Sequence, residues 1–331
     1  MKKILQYLFE HKTLSRSQAK DVLLNIGKGI YNEHEITSFM TVYLMRSITI
    51  EELQGFRDAL LELCLPVDFS GYDTMDIVGT GGDGKNTFNI STLSCFIVAG
   101  AGQKVTKHGN YGASSISGAS NVMEQLGYIF KTDNAKLKQE LDEAGICFLH
   151  APLFHPALKI VGPVRRNLGV RTFFNMLGPM VNPAQPAYQL AGVFNLEMAR
   201  IYNYLLQQSG KSFTIIHSLD GYDEISLTSD TKVITNNGEQ IMTPVQLGKR
   251  MVSPADLHGG NTPEEAAKVF TRIIKGEGSW AQNAVVLANA AMALFCTGAY
   301  NTYEDAWHAS VESLEGGKAY QSLKKLIELQ S

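Results

Sequence analysis

The stretch MDIVGTGGDGKNTFNISTLSCFIVAG, Met75 to Gly100, reads as strand, loop and helix in succession. Met75 to Val78 is a short apolar run that stops at Gly79-Thr80-Gly81-Gly82-Asp83, and a helix-like segment from Leu93 to Ala101 follows. The loop also opens an unusual region. The forty residues from Gly84 to Met123 contain no aspartate or glutamate, but they hold Lys85, Lys104, Lys107, His108, six glycines and thirteen Ser, Thr or Asn. The formal charge of the whole 331-residue chain is only −3, so the gap does not come from a basic composition. Glycines let the main chain approach phosphate oxygens, and amides, hydroxyls and a few cations suit a bound polyanion. The stretch predicts a phosphate site.

Further apolar runs ending in turns lie on either side: Gln103 to Thr106, Tyr128 to Phe130, Cys147 to Leu149, Phe213 to His217 and Ile225 to Leu227. Helix-like segments at Asn134 to Ala144 and Leu196 to Ser209 alternate with them, which predicts a largely parallel sheet flanked by helices. Thr231 to Thr235 and Glu239 to Thr243, joined through Asn236-Asn237-Gly238, read as a hairpin. Helices are predicted at Pro263 to Gly276, Trp280 to Thr297 and Tyr303 to Glu315. The first sixty-odd residues are helical by punctuation, with capping-box pairs at Ser15 and Gln18, Asn32 and Glu35, and Thr49 and Glu52. The expected fold class is therefore α/β: a small N-terminal helical domain plus a large α/β domain whose mostly parallel, mixed central sheet is flanked by helices. In the N-terminal part, Ile36, Phe39, Met40, Val42, Tyr43, Leu44 and Met45 make one helix apolar on more than one face. Such a helix predicts burial against both its own domain and a second chain, with a fully buried core helix as the equal alternative.

A pI near 6.3 argues against a nucleic-acid binder that works by general basicity. No apolar run approaches the roughly eighteen residues of a membrane span, and Glu10, His11 and Lys12 cut short the apolar run after Met1. Cys64, Cys95, Cys147 and Cys296 are scattered, without CxxC spacing, which favours free thiols in a cytoplasmic protein.

Gly79-x-Gly81-x-x-Gly84 matches a dinucleotide fingerprint, but that motif wants an acidic residue about twenty positions on, and after Asp83 the next acid is Glu124. Dinucleotide binding is disfavoured. Asn89-Ile90-Ser91-Thr92 places hydroxyls at the start of the next helix, where free amides and the helix dipole stabilise anions. Lys107-His108-Gly109-Asn110, read as lying just past a strand, is followed by the small-residue loop Gly112-Ala113-Ser114-Ser115. Asp223-Glu224 supplies the one or two carboxylates that Mg²⁺ on a diphosphate needs. Arg165, Arg166 and Arg171 cluster near Asn175, and a guanidinium fork matches a carboxylate bidentately.

Five ordered motifs together resemble the anthranilate phosphoribosyltransferase family: GTGGD at 79–83, NIST at 89–92, KHGN at 107–110, RRNLGVRTFFNMLGPMVNP at 165–183 and DGYDEISL at 220–227. The resemblance implies transfer of phosphoribosyl from 5-phosphoribosyl 1-diphosphate to the amine of anthranilate, giving N-(5-phosphoribosyl)anthranilate and diphosphate, the second step of tryptophan biosynthesis from chorismate. It implies that the phosphoribosyl diphosphate is held by Gly79, Gly82, Asp83, Thr87, Asn89, Ile90, Ser91 and Thr92, by Lys107, His108, Gly109, Asn110, Tyr111, Gly112, Ala113, Ser114 and Ser115, and by Ala119. Lys107 and His108 would be catalytic. Gly79, Asn110 and Arg165 would contact anthranilate, with Arg165 at its carboxylate, and Ser91, Asp223 and Glu224 would hold two Mg²⁺ ions. It further implies a homodimer formed through a helical domain of residues 1–70 completed by about 165–183, and a hinge to a substrate domain of 71–164 and 184–331. Tyr111, Ile116 and Ala119 depart from the family pattern, where a basic residue, a lysine and a serine are expected. A pyrimidine nucleoside phosphorylase and a nucleic-acid-binding relative are the alternatives; DGYDEISL and the acidic pI count against them.

Overall fold

The computed structural model describes residues 1–112 and 116–330, in two compact units. One comprises Met1–Val67 and Ala151–Gln185, the other Asp68–His150 and Pro186–Ser331.

The first unit is helical. Its helices Arg16–Gly27, Glu33–Met45 and Ile50–Leu63 each begin with a reciprocal capping box, at Ser15, Asn32 and Thr49, so orphan amides at each N-terminus are satisfied locally. Gly55 lets the second and fourth helices of the chain touch, because a Cβ there would strike the Arg16 carbonyl. Phe173, from the later segment, stacks on Phe56 at 4.5 Å between centroids and meets Phe39 and Tyr43 edge-on. That aromatic cluster ties the two stretches of sequence into one core. Of the seven apolar residues on helix Glu33–Met45, five are buried here, while Leu44 and Met45 are 41% and 83% exposed.

The second unit holds a seven-stranded sheet: β1 (Met75–Gly79), β2 (Val105–Gly109), β3 (Ile146–His150), β4 (Tyr188–Gly192), β5 (Ser212–Ser218), β6 (Thr231–Thr235) and β7 (Gly238–Met242). The spatial order is β3-β2-β1-β4-β5-β6-β7, with β1 to β5 parallel and β6 and β7 antiparallel. The expected mixed, mostly parallel sheet is thus the observed one. Helix Ile90–Gly100 is buried over nearly its whole length, between the sheet and helix Trp280–Cys296, which explains its apolar run from Cys95 to Ala99.

Several local expectations need correction. Tyr128 to Phe130 is not a strand; Tyr128 is buried by turning its hydroxyl onto Glu140, 2.7 Å away. Ile225 to Leu227 is not a strand either, because the Asn289 side chain engages both main-chain groups of Ile225 and Leu227 has φ of 58°. The strand expected at Gln103 to Thr106 runs from Val105 to Gly109. Lys107, His108 and Gly109 are therefore its last three residues and do not follow it. Strand β4 and helix Lys318–Glu328 were not foreseen.

Candidate functional site

The parallel strands β1, β2 and β4 end side by side at Gly79, Gly109 and Gly192, and the loops leaving β1 and β2, with the loop after β5 that carries Asp223 and Glu224, build the candidate site. Gly81, Gly82 and Gly84 have φ of 65°, 77° and 74°, a region that side chains strongly disfavour, so the loop after β1 requires glycine at all three. Gly79 pairs in register with Gly192 on β4. A Cβ on Gly79 would collide with the Asp223 carboxylate, and one on Gly192 with the Asp223 carbonyl. The two glycines form a floor on which Asp223 rests, and the Gly81 amide donates to its Oδ2 at 2.6 Å.

Three carboxylates converge here. Burial and the neighbouring Asp83 push the Asp223 carboxyl up to about 7. Glu224 lies well above the usual carboxylate range because it is buried and near Asp223, although Lys107 and a hydrogen bond from the Ser91 amide oppose the shift. Burial raises Asp83 as well, against a hydrogen bond from the Lys85 amide. Acidic oxygens held close together are the donors a hard divalent ion takes. Among the described residues no three His, Cys, Asp or Glu side chains form a group that could hold a metal ion by themselves.

Lys107 is 2% exposed, and its Nζ donates to the Ile77 carbonyl at 2.7 Å. The His108 amide donates to Asp76 Oδ1 at 3.3 Å. Asn89 donates to the Ser117 carbonyl at 2.9 Å, fixing the residue before helix Ile90–Gly100, while Ser91 and Thr92 stand in that helix's first turn. Thr87 bridges His258, and the Phe88 amide donates to the Leu257 carbonyl, so a segment absent from the sequence-derived site straps the phosphate loop. Beside this strap a cavity of about 630 Å³ is lined by Lys85, Thr87, Tyr222 and His258, among others. The Lys85 ammonium lies 4.5 Å above the Tyr222 ring.

In the loop after β2, Asn121 Oδ1 accepts from the amides of both Gly112 and Gly118, at 3.0 Å each. Gly118 must be glycine because a Cβ would meet the Gly112 amide. Ala113, Ser114 and Ser115 lie outside the described residues. Asn110 accepts the Tyr111 amide, and the Tyr111 hydroxyl donates to Glu124 at 2.7 Å, its ring edge-on to His150. Ile116 is 43% exposed, and Ala119 begins a short helix beside Gly109.

Arg165 belongs to the helical unit, on helix Pro156–Leu168. It donates to Asn175 Oδ1 at 3.4 Å, lies 5.6 Å from the Phe174 centroid, and has no acidic partner within 4 Å among the described residues. Burial lowers its pKa. The planar fork of a guanidinium can pair bidentately with a carboxylate.

Sequence reasoning missed Gly192, Asn121, Ser218, Asn289 and the strap. Asn289 was visible as the polar residue within Val285 to Leu294, but nothing in one sequence says what it faces.

Residues 71–320 match the α/β domain of the glycosyl transferase family, and residues 2–64 its helical bundle domain. The chain is a member of that transferase family. Within it, the chain belongs to the anthranilate phosphoribosyltransferases: it is 58% identical to that of Flavobacterium johnsoniae and 55% identical to that of Bacteroides thetaiotaomicron, in each case over 99% of both chains. Among solved structures, the Thermus thermophilus anthranilate phosphoribosyltransferase superposes with a TM-score of 0.92 at 30% identity, covering 99% of both chains. The Saccharomyces cerevisiae enzyme in complex with PRPP and Mg superposes at 0.87 and 27% identity, covering 96% of this chain and 93% of that one.

Proposed function

We propose that the protein transfers the phosphoribosyl group of 5-phosphoribosyl 1-diphosphate to the anthranilate amine, and that the loops at the ends of β1, β2 and β5 are where the sugar diphosphate binds. The observation that carries this reading is the seating of Asp223 on Gly79 and Gly192, which brings the Asp223 and Glu224 carboxylates to the glycine and hydroxyl loop that also carries Asp83. The yeast relative's complex with PRPP and Mg, and 58% identity to a curated transferase, support the same substrate.

Gly79, Gly82, Asp83, Thr87, Asn89, Ser91 and Thr92 surround the diphosphate, with Lys107 and His108 beneath it. Asp223, Glu224 and Ser91 would hold magnesium, as two ions, whose positive charge would offset the negative charge of the departing diphosphate. The chain's own task is to fix the donor sugar with its leaving group in a water-poor cradle and to place the amine for attack at ribose C1. The arylamine is neutral at pH 7, so no strong base is needed. Arg165 is the proposed partner of the anthranilate carboxylate on the helical unit; on the sheet unit, Asn110 and Gly79 are the proposed anthranilate contacts.

We also propose a homodimer formed through the helical unit, on which Leu44 and Met45 remain exposed. Four free thiols suit a reducing compartment, and we place the protein in the cytoplasm, with neither nucleic acid nor membrane as partner. Loss of anthranilate fluorescence that requires protein, Mg²⁺ and 5-phosphoribosyl 1-diphosphate together is the expected assay result. Fluorescence that persists with all three present would refute the assignment.

A further inference from the structure

Glu224 is followed by main chain that belongs to no strand, yet four successive polar groups there are held by two side chains. Asn289 is fully buried in helix Trp280–Cys296, among Ala, Val and Leu. Its Oδ1 accepts from the Ile225 amide at 3.0 Å, and its Nδ2 donates to the Ile225 carbonyl at 2.9 Å and to Val285 of its own helix at 2.9 Å. Ser218, the last residue of β5, donates from Oγ to the Glu224 carbonyl at 2.7 Å and accepts from the Ser226 amide at 3.2 Å. Glu224 C=O, Ile225 N–H, Ile225 C=O and Ser226 N–H are thus bonded in sequence. A buried amide in an apolar helix is costly unless its hydrogen bonds are made, and this one makes them with the residue next to Glu224.

We infer that Asn289 and Ser218 are positioning residues that set the direction of the Asp223–Glu224 carboxylates toward a metal-bound diphosphate. The inference rests on the reading in which that pair holds magnesium. Both clamps are rooted in rigid elements, a buried helix and a central strand, whereas the loop carrying the carboxylates has no ladder to orient it. On the opposite side, Gly79 and Gly192 form the floor beneath Asp223, so the loop is gripped from two directions.

The test is calorimetric titration of the full-length protein with Mg²⁺ and inorganic diphosphate as probe, with melting temperature recorded for each variant. Asn289→Ala and Ser218→Ala are expected to weaken binding about tenfold or more and to raise the Mg²⁺ concentration for half-maximal rate. The anthranilate KM should stay within about twofold of the parent value. Ser313→Ala is the control, because it deletes a buried hydrogen bond to the Ile97 carbonyl away from the loop and should bind the probe as the parent does. If Asn289→Ala does not fold, Ser218→Ala, which loses one hydroxyl, decides alone. Folded variants with parental affinity, or an equal loss in Ser313→Ala, would overturn the inference. Asp223→Asn with Glu224→Gln separates the two ideas: its loss of binding while the clamp variants keep theirs sinks only the clamp, whereas parental binding by that double variant sinks the metal reading and the clamp with it.

Discussion

At Asp223 the main chain, the carboxylate and two glycines are mutually dependent. Adding one methyl group at Gly192 drives a Cβ into the Asp223 carbonyl, which cannot yield without lifting the carboxylate from the Gly81 amide. Gly192→Ala should therefore lower kcat/KM about a hundredfold, the order expected for a displacement near 1 Å at a reacting centre, and should lower the melting temperature as well. Steady-state kinetics with parental activity would show that the floor is not needed. Arg165→Ala should raise the anthranilate KM and leave that of the diphosphate substrate nearly unchanged; the opposite pattern would remove Arg165 from its assigned role. The glycine loop, the acid gap and the Asp223-Glu224 pair were legible at this scale because they are local in sequence. Gly192 and Asn289 were not, since their importance comes from contacts 31 and 64 or more residues away, which no spacing rule reports.

Among the elements, the capping boxes at Ser15, Asn32 and Thr49 were readable directly, because the reciprocal bonds span three residues. The strand expected at Ile225 to Leu227 failed for the converse reason: the apolar Ile225 and Leu227 about Ser226 have the strand alternation, but a distant asparagine had taken the hydrogen bonds of Ile225. The Thr49 box also carries more than a cap. Its Glu52 is fully buried and accepts from the Leu14 and Thr49 amides, the Tyr43 hydroxyl and both Arg46 nitrogens. Burial alone would raise its pKa, yet the Arg46 guanidinium and those amides outweigh burial and hold it below the ordinary value. Stability from this group is thus complete above the unfolded pKa of about 4.3 and is lost as pH falls through the lower folded value. Glu52→Gln should cost the helical unit about 3–5 kcal/mol at pH 7, the cost of leaving a buried partner unpaired, and should flatten its acid unfolding curve. Circular dichroism against pH checks both; an unchanged curve would show that the buried pair does not govern acid stability.

For the whole molecule, the fold class was legible because alternating strand and helix patterns admit few architectures. The later segment that joins the helical unit could be placed only by resemblance, since the contact of Phe173 with Phe39, Tyr43 and Phe56 spans more than a hundred residues. Exposed Leu44 and Met45 bear on assembly. Sedimentation should show a dimer for the parent chain and a shift toward monomer for Leu44→Asp with Met45→Asp; a variant that remains dimeric would place the interface elsewhere. The claim on which the rest depends is that a sugar diphosphate sits in the cradle between the glycine loop and the Asp223–Glu224 carboxylates. A crystal structure with 5-phosphoribosyl 1-diphosphate and Mg²⁺ tests it most directly. The account predicts diphosphate density against the loop from Gly79 to Thr92 with Mg²⁺ between it and Asp223 and Glu224, and ligand bound elsewhere with this cradle vacant would contradict it.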